Sequence, residues 1–107
     1  MSMDQNQIKS DVCVKALEAT EAKLKSRNAL SGMYESVKNQ LVFLIDYFDG
    51  KHTDLNRFKE LSLGTIAVRE VEDSDPEYAH LLKCAYYVAY QTMNRKKLSA
   101  EFINENT

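Results

Sequence analysis

The sequence predicts an all-α protein, a single compact bundle of about five helices of which two or three are long and two are short. Apolar residues recur at spacings of three and four in several segments, and no segment alternates with the period of two that marks a half-buried strand. Only three Gly and one Pro interrupt the 107 residues, so helix-breaking residues are scarce. We therefore expect one domain that spans residues 1–107 and packs helix on helix.

The first predicted helix covers residues 4–27. This segment contains no Gly or Pro, and Ile8, Val12 and Ala16 recur in it at helical spacing. Such a repeat places the three side chains on one face, which indicates the side of the helix that meets the core.

The second predicted helix follows a turn at residues 28–32, in which Asn28 and Ser31 are the candidate N-caps. The pair Asp49-Gly50 ends it, because Gly tolerates the backbone conformation that commonly follows a helix. Its apolar residues step by three and four without a break: Tyr34, Val37, Leu41, Leu44, Ile45 and Phe48.

Two short helices are expected next. The first is capped by Thr53 or Asp54 and carries three apolar residues at helical spacing: Leu55, Phe58 and Leu61. Gly64 then permits a backbone turn that a residue with a Cβ atom would resist. The second short helix covers residues 65–72.

A further long helix is predicted after the motif Ser-Asp-Pro-Glu at residues 74–77. Either the Ser or the Asp caps the helix, the Pro suits the first turn because an N–H has no partner there, and the Glu can close a capping box. The helix extends to about Lys96, and its apolar stripe consists of Tyr78, Leu82, Ala85, Tyr86, Ala89 and Met93. We expect the tail at residues 99–107 to fray, with docking through Phe102 and Ile103 as the alternative.

The charge distribution argues against a nucleic-acid partner. The formal net charge is -2, and Lys and Arg are scattered among carboxylates, whereas a surface that follows a phosphate backbone needs a basic stripe. The densest basic run, Arg95-Lys96-Lys97, lies at the C-terminal end of the last long helix, where it complements the negative end of the helix dipole.

The sequence also predicts a cytoplasmic protein with reduced cysteines. No apolar run approaches the length of a membrane span, and the polar start Met-Ser-Met-Asp is unlike a signal peptide. Cys13 and Cys84 belong to no Cys-x-x-Cys pair, so two reduced thiols on separate helices are expected instead of a disulfide or a zinc site.

No arrangement of residues in the sequence is typical of an enzyme, a metal centre or a cofactor site. Glu77-x-x-His80 has the spacing of one di-iron ligand pair, but a second such pair and further carboxylates are missing. Asp73-x-Asp75-x-Glu77 resembles the start of a calcium loop, yet its Gly and its final Glu are absent. The remaining histidine, His52, has no nucleophile on a strained turn beside it in the sequence.

The short helix at residues 65–72 carries the candidate partner-binding residues. At 100° per residue, Ile66 lies opposite the core face, among Arg69, Glu70 and Asp73. Tyr87 lies on the polar side of the following helix. Tyr offers a large apolar area with a polar tip, which suits protein interfaces. We predict that these five residues bind a protein partner, although isolated exposed apolar side chains are also common on ordinary surfaces.

An aromatic pair on the second predicted helix leaves two interpretations open. Phe43 and Tyr47 lie four residues apart on the second helix, behind its core face. The second helix is then either packed on both sides, which buries the pair, or presents the two rings to a partner.

Three runs of sequence resemble one known family. These runs are Leu61-Ser-Leu-Gly-Thr-Ile-Ala-Val-Arg-Glu-Val71, Asp73-Ser-Asp-Pro-Glu77 and Lys83-Cys-Ala-Tyr-Tyr-Val88. Together they look like the hallmark region of the small immunity proteins that neutralise NAD(P)-degrading effectors of the bacterial type VI secretion system. The resemblance is dense over residues 61–88, looser over residues 8–54, and absent from the tail.

This resemblance implies an all-helical protein without enzymatic activity or cofactor that remains in the cytoplasm. It also implies that the protein binds the toxin domain and covers its active site. The alternative is a helical adaptor that bridges proteins without blocking an active site. We therefore expect a cognate toxin domain as the partner, no nucleic acid and no membrane, and the sequence leaves a homo-oligomer open without predicting one.

Overall fold

The computed structural model describes residues 5–27 and 32–106. In chain order the elements are α1 (Gln5–Arg27), α2 (Met33–Phe48), a 3₁₀ helix (Leu55–Glu60), α3 (Leu63–Ile66) continued by a π-helical turn (Ala67–Val71), α4 (Pro76–Met93) and α5 (Ala100–Glu105). The described residues contain no β-strand. The prediction of an all-α bundle with about five helices is confirmed.

The three long helices enclose the apolar core. α1 packs against both α2 and α4, while α3 and the π turn pack against α4. Leu41 and Leu44 of α2 and Leu82 of α4 are fully buried, as the spacing of three and four predicts. The two candidate N-caps of α2, Asn28 and Ser31, lie outside the described residues.

The two short helices differ from the prediction in type and position. Residues 55–60 form a 3₁₀ helix, and the next helix begins at Leu63, two residues earlier than expected. Gly64 therefore lies inside α3 and makes no separate turn. A Cβ atom at Gly64 would lie 3.1 Å from Cδ2 of Tyr86, so the Gly allows close packing of α3 on α4.

α4 begins as predicted and ends earlier. Asp75 is the N-cap, because its Oδ1 accepts a hydrogen bond of 3.2 Å from the backbone N–H of Tyr78. With the cap at Asp75, Glu77 occupies the second helical position and does not close a capping box, which uses the third. The helix ends at Met93 because Arg95 adopts a left-handed backbone conformation with φ of 57°.

The tail docks on the bundle, which corrects the expectation that it frays. Ser99 caps α5, since its Oγ accepts a hydrogen bond of 3.1 Å from the N–H of Phe102. The ring of Phe102 lies 4.6 Å from that of Tyr87, measured between centroids. Both Phe102 and Ile103 pack against the core, so the docking alternative is confirmed.

Both cysteines are free and buried, Cys13 on α1 and Cys84 on α4. Burial raises the pKa of each thiol above its usual value, so both remain protonated at neutral pH. Over the described residues, no helix combines the length and the apolar character needed to cross a lipid bilayer.

A buried polar pair joins α1 to α4. The hydroxyl of Thr20 donates to the carbonyl oxygen of Ala16 at 2.8 Å. Its oxygen lies 2.8 Å from the hydroxyl of Tyr78 and therefore accepts the proton of that phenol. Thr20 and Tyr78 are both buried, and burial raises the pKa of Tyr78, so the phenol remains a donor at neutral pH.

We expect Thr20→Val to lower the free energy of unfolding by about 1–3 kcal/mol, because it leaves the buried phenol of Tyr78 without an acceptor. Tyr78→Phe removes that phenol, so the double variant Thr20→Val/Tyr78→Phe should be more stable than Thr20→Val alone. Urea denaturation of the three variants measures this order. A Thr20→Val protein as stable as the parent would show that the hydrogen bond contributes nothing.

Candidate functional site

A π turn follows α3, and its residues divide between buried and exposed positions. The N–H of Glu72 donates to the carbonyl oxygen of Ala67 at 2.8 Å, which is the wider spacing of a π-helix. Ala67 and Val71 both face the core, with exposed fractions of 0% and 3%. The residues between them are consequently turned outward, and Val68 has an exposed fraction of 57%. We refer to residues 63–73 as the α3–π segment.

The structure changes which apolar residue of this segment is exposed. Ile66 is half-buried and packs against the core, whereas Val68 is exposed beside Arg69 and Glu70. The prediction that Ile66 stands alone among charges is therefore wrong in its geometry. It assumed 100° per residue throughout, and each residue of a π turn advances by less.

Three of the predicted partner-binding residues share the exposed side of the segment. Arg69, Glu70 and Asp73 are exposed, and within the described part of the chain none of the three forms an ion pair. Their charges therefore remain available to a partner.

Two other acidic residues near this segment, Glu72 and Asp75, have intramolecular partners. Glu72 accepts from the ammonium of Lys83 on α4. Asp75 accepts from Lys23 on α1 in addition to capping α4. These two contacts hold the α3–π segment and the start of α4 against the bundle. Glu70 and Asp73 have no such role among the described residues.

Tyr87 lies on α4, four residues after Lys83, and is half-buried. Its ring packs on Phe102 and its hydroxyl oxygen accepts a hydrogen bond of 3.1 Å from the N–H of Ser99. Tyr87 therefore contributes to the contact between α4 and α5. A role in partner binding would use only the exposed part of its side chain.

A groove runs between the α3–π segment and α4. Its volume is about 500 Å³, and it is lined by Gly64, Thr65, Val68, Arg69, Lys83 and Tyr86. The ring of Tyr90 lies 6.2 Å from that of Tyr86, between centroids, and Tyr90 has an exposed fraction of 45%. The groove thus opens onto further apolar surface.

Sequence reasoning identified only Arg69 among the residues of this groove. The apolar stripe of the last long helix predicts Tyr86 as a core residue. Val68 and Tyr90 are not among the predicted partner-binding residues. The spacing of Tyr86 and Tyr90, four residues apart on a helix, is the signal that points to a shared aromatic surface. Val68 gives no comparable signal, because a single apolar residue beside charged ones is common on ordinary surfaces.

The aromatic pair of α2 is packed, in agreement with the burial interpretation. Phe43 and Tyr47 are half-buried. The ring of Phe58 lies 5.5 Å from Phe43 and 4.8 Å from Tyr47, between centroids. His52 stacks on Phe43 at 4.7 Å, with its Nε2 3.2 Å from the Phe43 carbonyl oxygen. Residues 52–58 therefore cover much of this face.

The remaining polar side chains of the described residues form no arrangement typical of a metal site. In the described parts of the chain, no group of three or more His, Cys, Asp and Glu side chains is placed to hold a metal ion. His80 lies on the surface of α4, where its Nε2 is 3.5 Å from Sγ of Cys84. The candidate site therefore consists of the groove and the exposed side chains of the α3–π segment and α4.

Comparison with known proteins identifies the family. The family model named Tsi6 matches residues 8–91, which include most of α1, all of α2 and the α3–π segment, and most of α4. The chain belongs to the Tsi6 family. This confirms the resemblance to an immunity-protein family that residues 61–88 indicated. The match extends over α1 and α2, where the sequence resemblance is looser, and ends before α5.

One curated relative is similar over part of its length. The protein named Immune protein Tsi6 from Pseudomonas aeruginosa is 37% identical over 57 residues, which are 53% of this chain and 61% of the relative. The chain therefore aligns with about three fifths of that relative. No solved structure was found to match the chain.

Proposed function

We propose that the protein is an immunity protein that binds a cognate secreted bacterial toxin and covers its active site. The observation that carries this proposal is the family match over residues 8–91. The name of the Pseudomonas relative, an immune protein, supports the same role. The resemblance of residues 61–88 points further, to an NAD(P)-degrading effector of the type VI secretion system as the toxin. Inhibition then follows from binding alone, without catalysis by the immunity protein.

The charges on the α3–π segment suit such a partner. A site that binds NAD or NADP must attract phosphate groups, so its rim is expected to carry Arg, Lys or helix N-termini. Glu70 and Asp73 are exposed carboxylates that can occupy the same positions as those phosphates. We propose that they bind at the mouth of the toxin's active site together with Arg69, with Ile66 and Tyr87 at the edge of the contact.

This role is consistent with a protein that acts in the cytoplasm. NAD and NADP are cytoplasmic metabolites, so a toxin that degrades them must be intercepted there. Cys13 and Cys84 are free and buried, and reduced thiols of this kind are usual in a reducing compartment.

We expect the purified protein to leave NAD and NADP unchanged and to abolish toxin activity at close to one molecule per toxin domain. The enzyme is the toxin domain that we expect a neighbouring reading frame to encode, and NAD consumption measures its activity. Calorimetric titration gives the stoichiometry and the dissociation constant independently.

Two outcomes would contradict the proposal. Protection by much less than one equivalent would indicate an enzyme that reverses the damage. Binding that leaves toxin activity intact would favour the adaptor, which bridges proteins without covering an active site.

A further inference from the structure

The groove between the α3–π segment and α4 has an unbalanced charge. Arg69 and Lys83 line it, and no carboxylate is among its lining residues in the described part of the chain. The ammonium of Lys83 already pairs with Glu72. Arg69 is exposed, and none of the ion pairs among the described residues includes it. The groove therefore offers one planar cation that can pair with a carboxylate through two hydrogen bonds.

The same groove continues into the most exposed apolar surface of the described residues. Val68 and Tyr90, with exposed fractions of 57% and 45%, are the most exposed of the large apolar side chains. Tyr86 connects them, because it lines the groove beside Val68 and its ring contacts that of Tyr90. Exposed aromatic and apolar side chains that adjoin an Arg are the usual composition of an interface centre.

The groove is also preformed in the free protein. Gly64 allows the backbone of α3 to approach the ring of Tyr86, where a Cβ atom would meet it at 3.1 Å. The ion pair between Lys83 and Glu72 links the opposite wall to the end of the π turn. A preformed groove loses less conformational freedom on binding, which favours affinity.

We propose that this groove receives an apolar side chain of the toxin domain that stands next to a carboxylate. The apolar side chain packs on Val68 and Tyr86, and the carboxylate pairs with Arg69. This inference rests on the proposed function and names the chemistry of the contact that anchors the toxin. The carboxylates Glu70 and Asp73 then bind basic groups of the toxin beside the same anchor.

Charge complementarity favours a toxin segment over a second copy of the chain. In a symmetric dimer whose axis passes through the groove, residues near the axis meet their own copies, so Arg69 of one copy would approach Arg69 of the other. Like charges brought together in this way are unfavourable. A partner that supplies a carboxylate neutralises Arg69 instead.

Two single variants test the anchor. Val68→Asp places a carboxylate where the apolar side chain should pack, and Arg69→Glu reverses the charge that should pair with the toxin. We expect each to raise the dissociation constant for the toxin domain by about 30-fold or more, the effect of a central interface residue. Val42→Asp is the matched control, because Val42 is 38% exposed, lies on α2 and is not among the residues that line the groove.

The measurements separate this inference from the proposed function. Calorimetry gives affinity, NAD consumption gives inhibition, and the urea midpoint verifies that each variant is folded. If the parent protein inhibits the toxin and both groove variants bind it as tightly as Val42→Asp does, the groove inference is wrong and the immunity function stands. If the parent binds without inhibiting and both groove variants bind weakly, occlusion is wrong and the groove stands. A parent that does not bind the toxin would overturn both.

The chemistry of the occupant can be identified directly. A photoreactive amino acid at position 68 should cross-link to the toxin domain, and mass spectrometry should locate the link within a few residues of an Asp or Glu. A link to a segment without any nearby carboxylate would overturn the assignment of Arg69. Light scattering of the free protein tests whether a second copy of the chain occupies the groove. A dimer that Val68→Asp dissociates would place a second copy there and overturn the proposal.

Discussion

Leu41→Ala and Leu82→Ala should each lower the free energy of unfolding by about 2–5 kcal/mol. Both leucines are fully buried, Leu41 in the middle of α2 and Leu82 in the middle of α4. Truncation to Ala removes apolar contacts and leaves a cavity that the surrounding helices fill only in part. Urea denaturation of the purified variants measures the loss. Protection against the toxin should weaken with it, because a larger fraction of the protein is unfolded.

Val42→Ala is the control for these two variants. Val42 is the neighbour of Leu41 in sequence but is 38% exposed. We expect it to change the free energy of unfolding by no more than about 0.5 kcal/mol, because the better helix propensity of Ala offsets the lost contact. A Leu variant with the urea midpoint of the parent would mean that its helix face does not meet the core.

The double variant Glu70→Lys/Asp73→Lys should weaken toxin binding by about 2–5 kcal/mol while the urea midpoint is unchanged. The reversed charges would face the basic groups that we propose at the toxin's active site, and desolvated charges left opposite a like charge are costly. Folding should be unaffected, because both side chains are exposed and neither forms an ion pair with the described residues. Calorimetric titration with the toxin domain measures the change in affinity.

Glu18→Lys/Glu21→Lys controls for the change in net charge. Glu18 and Glu21 have the same spacing of three residues and are exposed on α1, so this double variant alters the net charge equally without touching the α3–π segment. Its binding should decrease only slightly, through long-range electrostatics that salt screens. Unchanged affinity of a folded Glu70→Lys/Asp73→Lys protein would exclude this side of the segment from the interface.

Apolar spacing and cap motifs predicted the long helices, and residues 61–88 indicated the family. Much of the buried faces of α1, α2 and α4 follows from apolar spacing, because helical geometry places residues three and four apart on one side, but α1 also buries Lys9, Ser10 and Thr20. The start of α4 at Asp75 and Pro76 was also predictable from the sequence, since a helix cap depends only on its immediate neighbours in the chain. The family was recognisable because the residues that carry it lie close together, within residues 61–88.

The shape of the candidate interface depends on packing between helices, which the sequence pattern does not reveal. Ala67 and Val71 both pack against the core, and in the π turn that contains them Val68 is exposed, while Ile66 just before the turn is half-buried. Tyr87 became part of the contact with α5 because Phe102, fifteen residues further along the chain, packs on it. These outcomes depend on contacts between residues that are distant in sequence. Periodicity within one helix describes only the residues of that helix, so it could not reveal them.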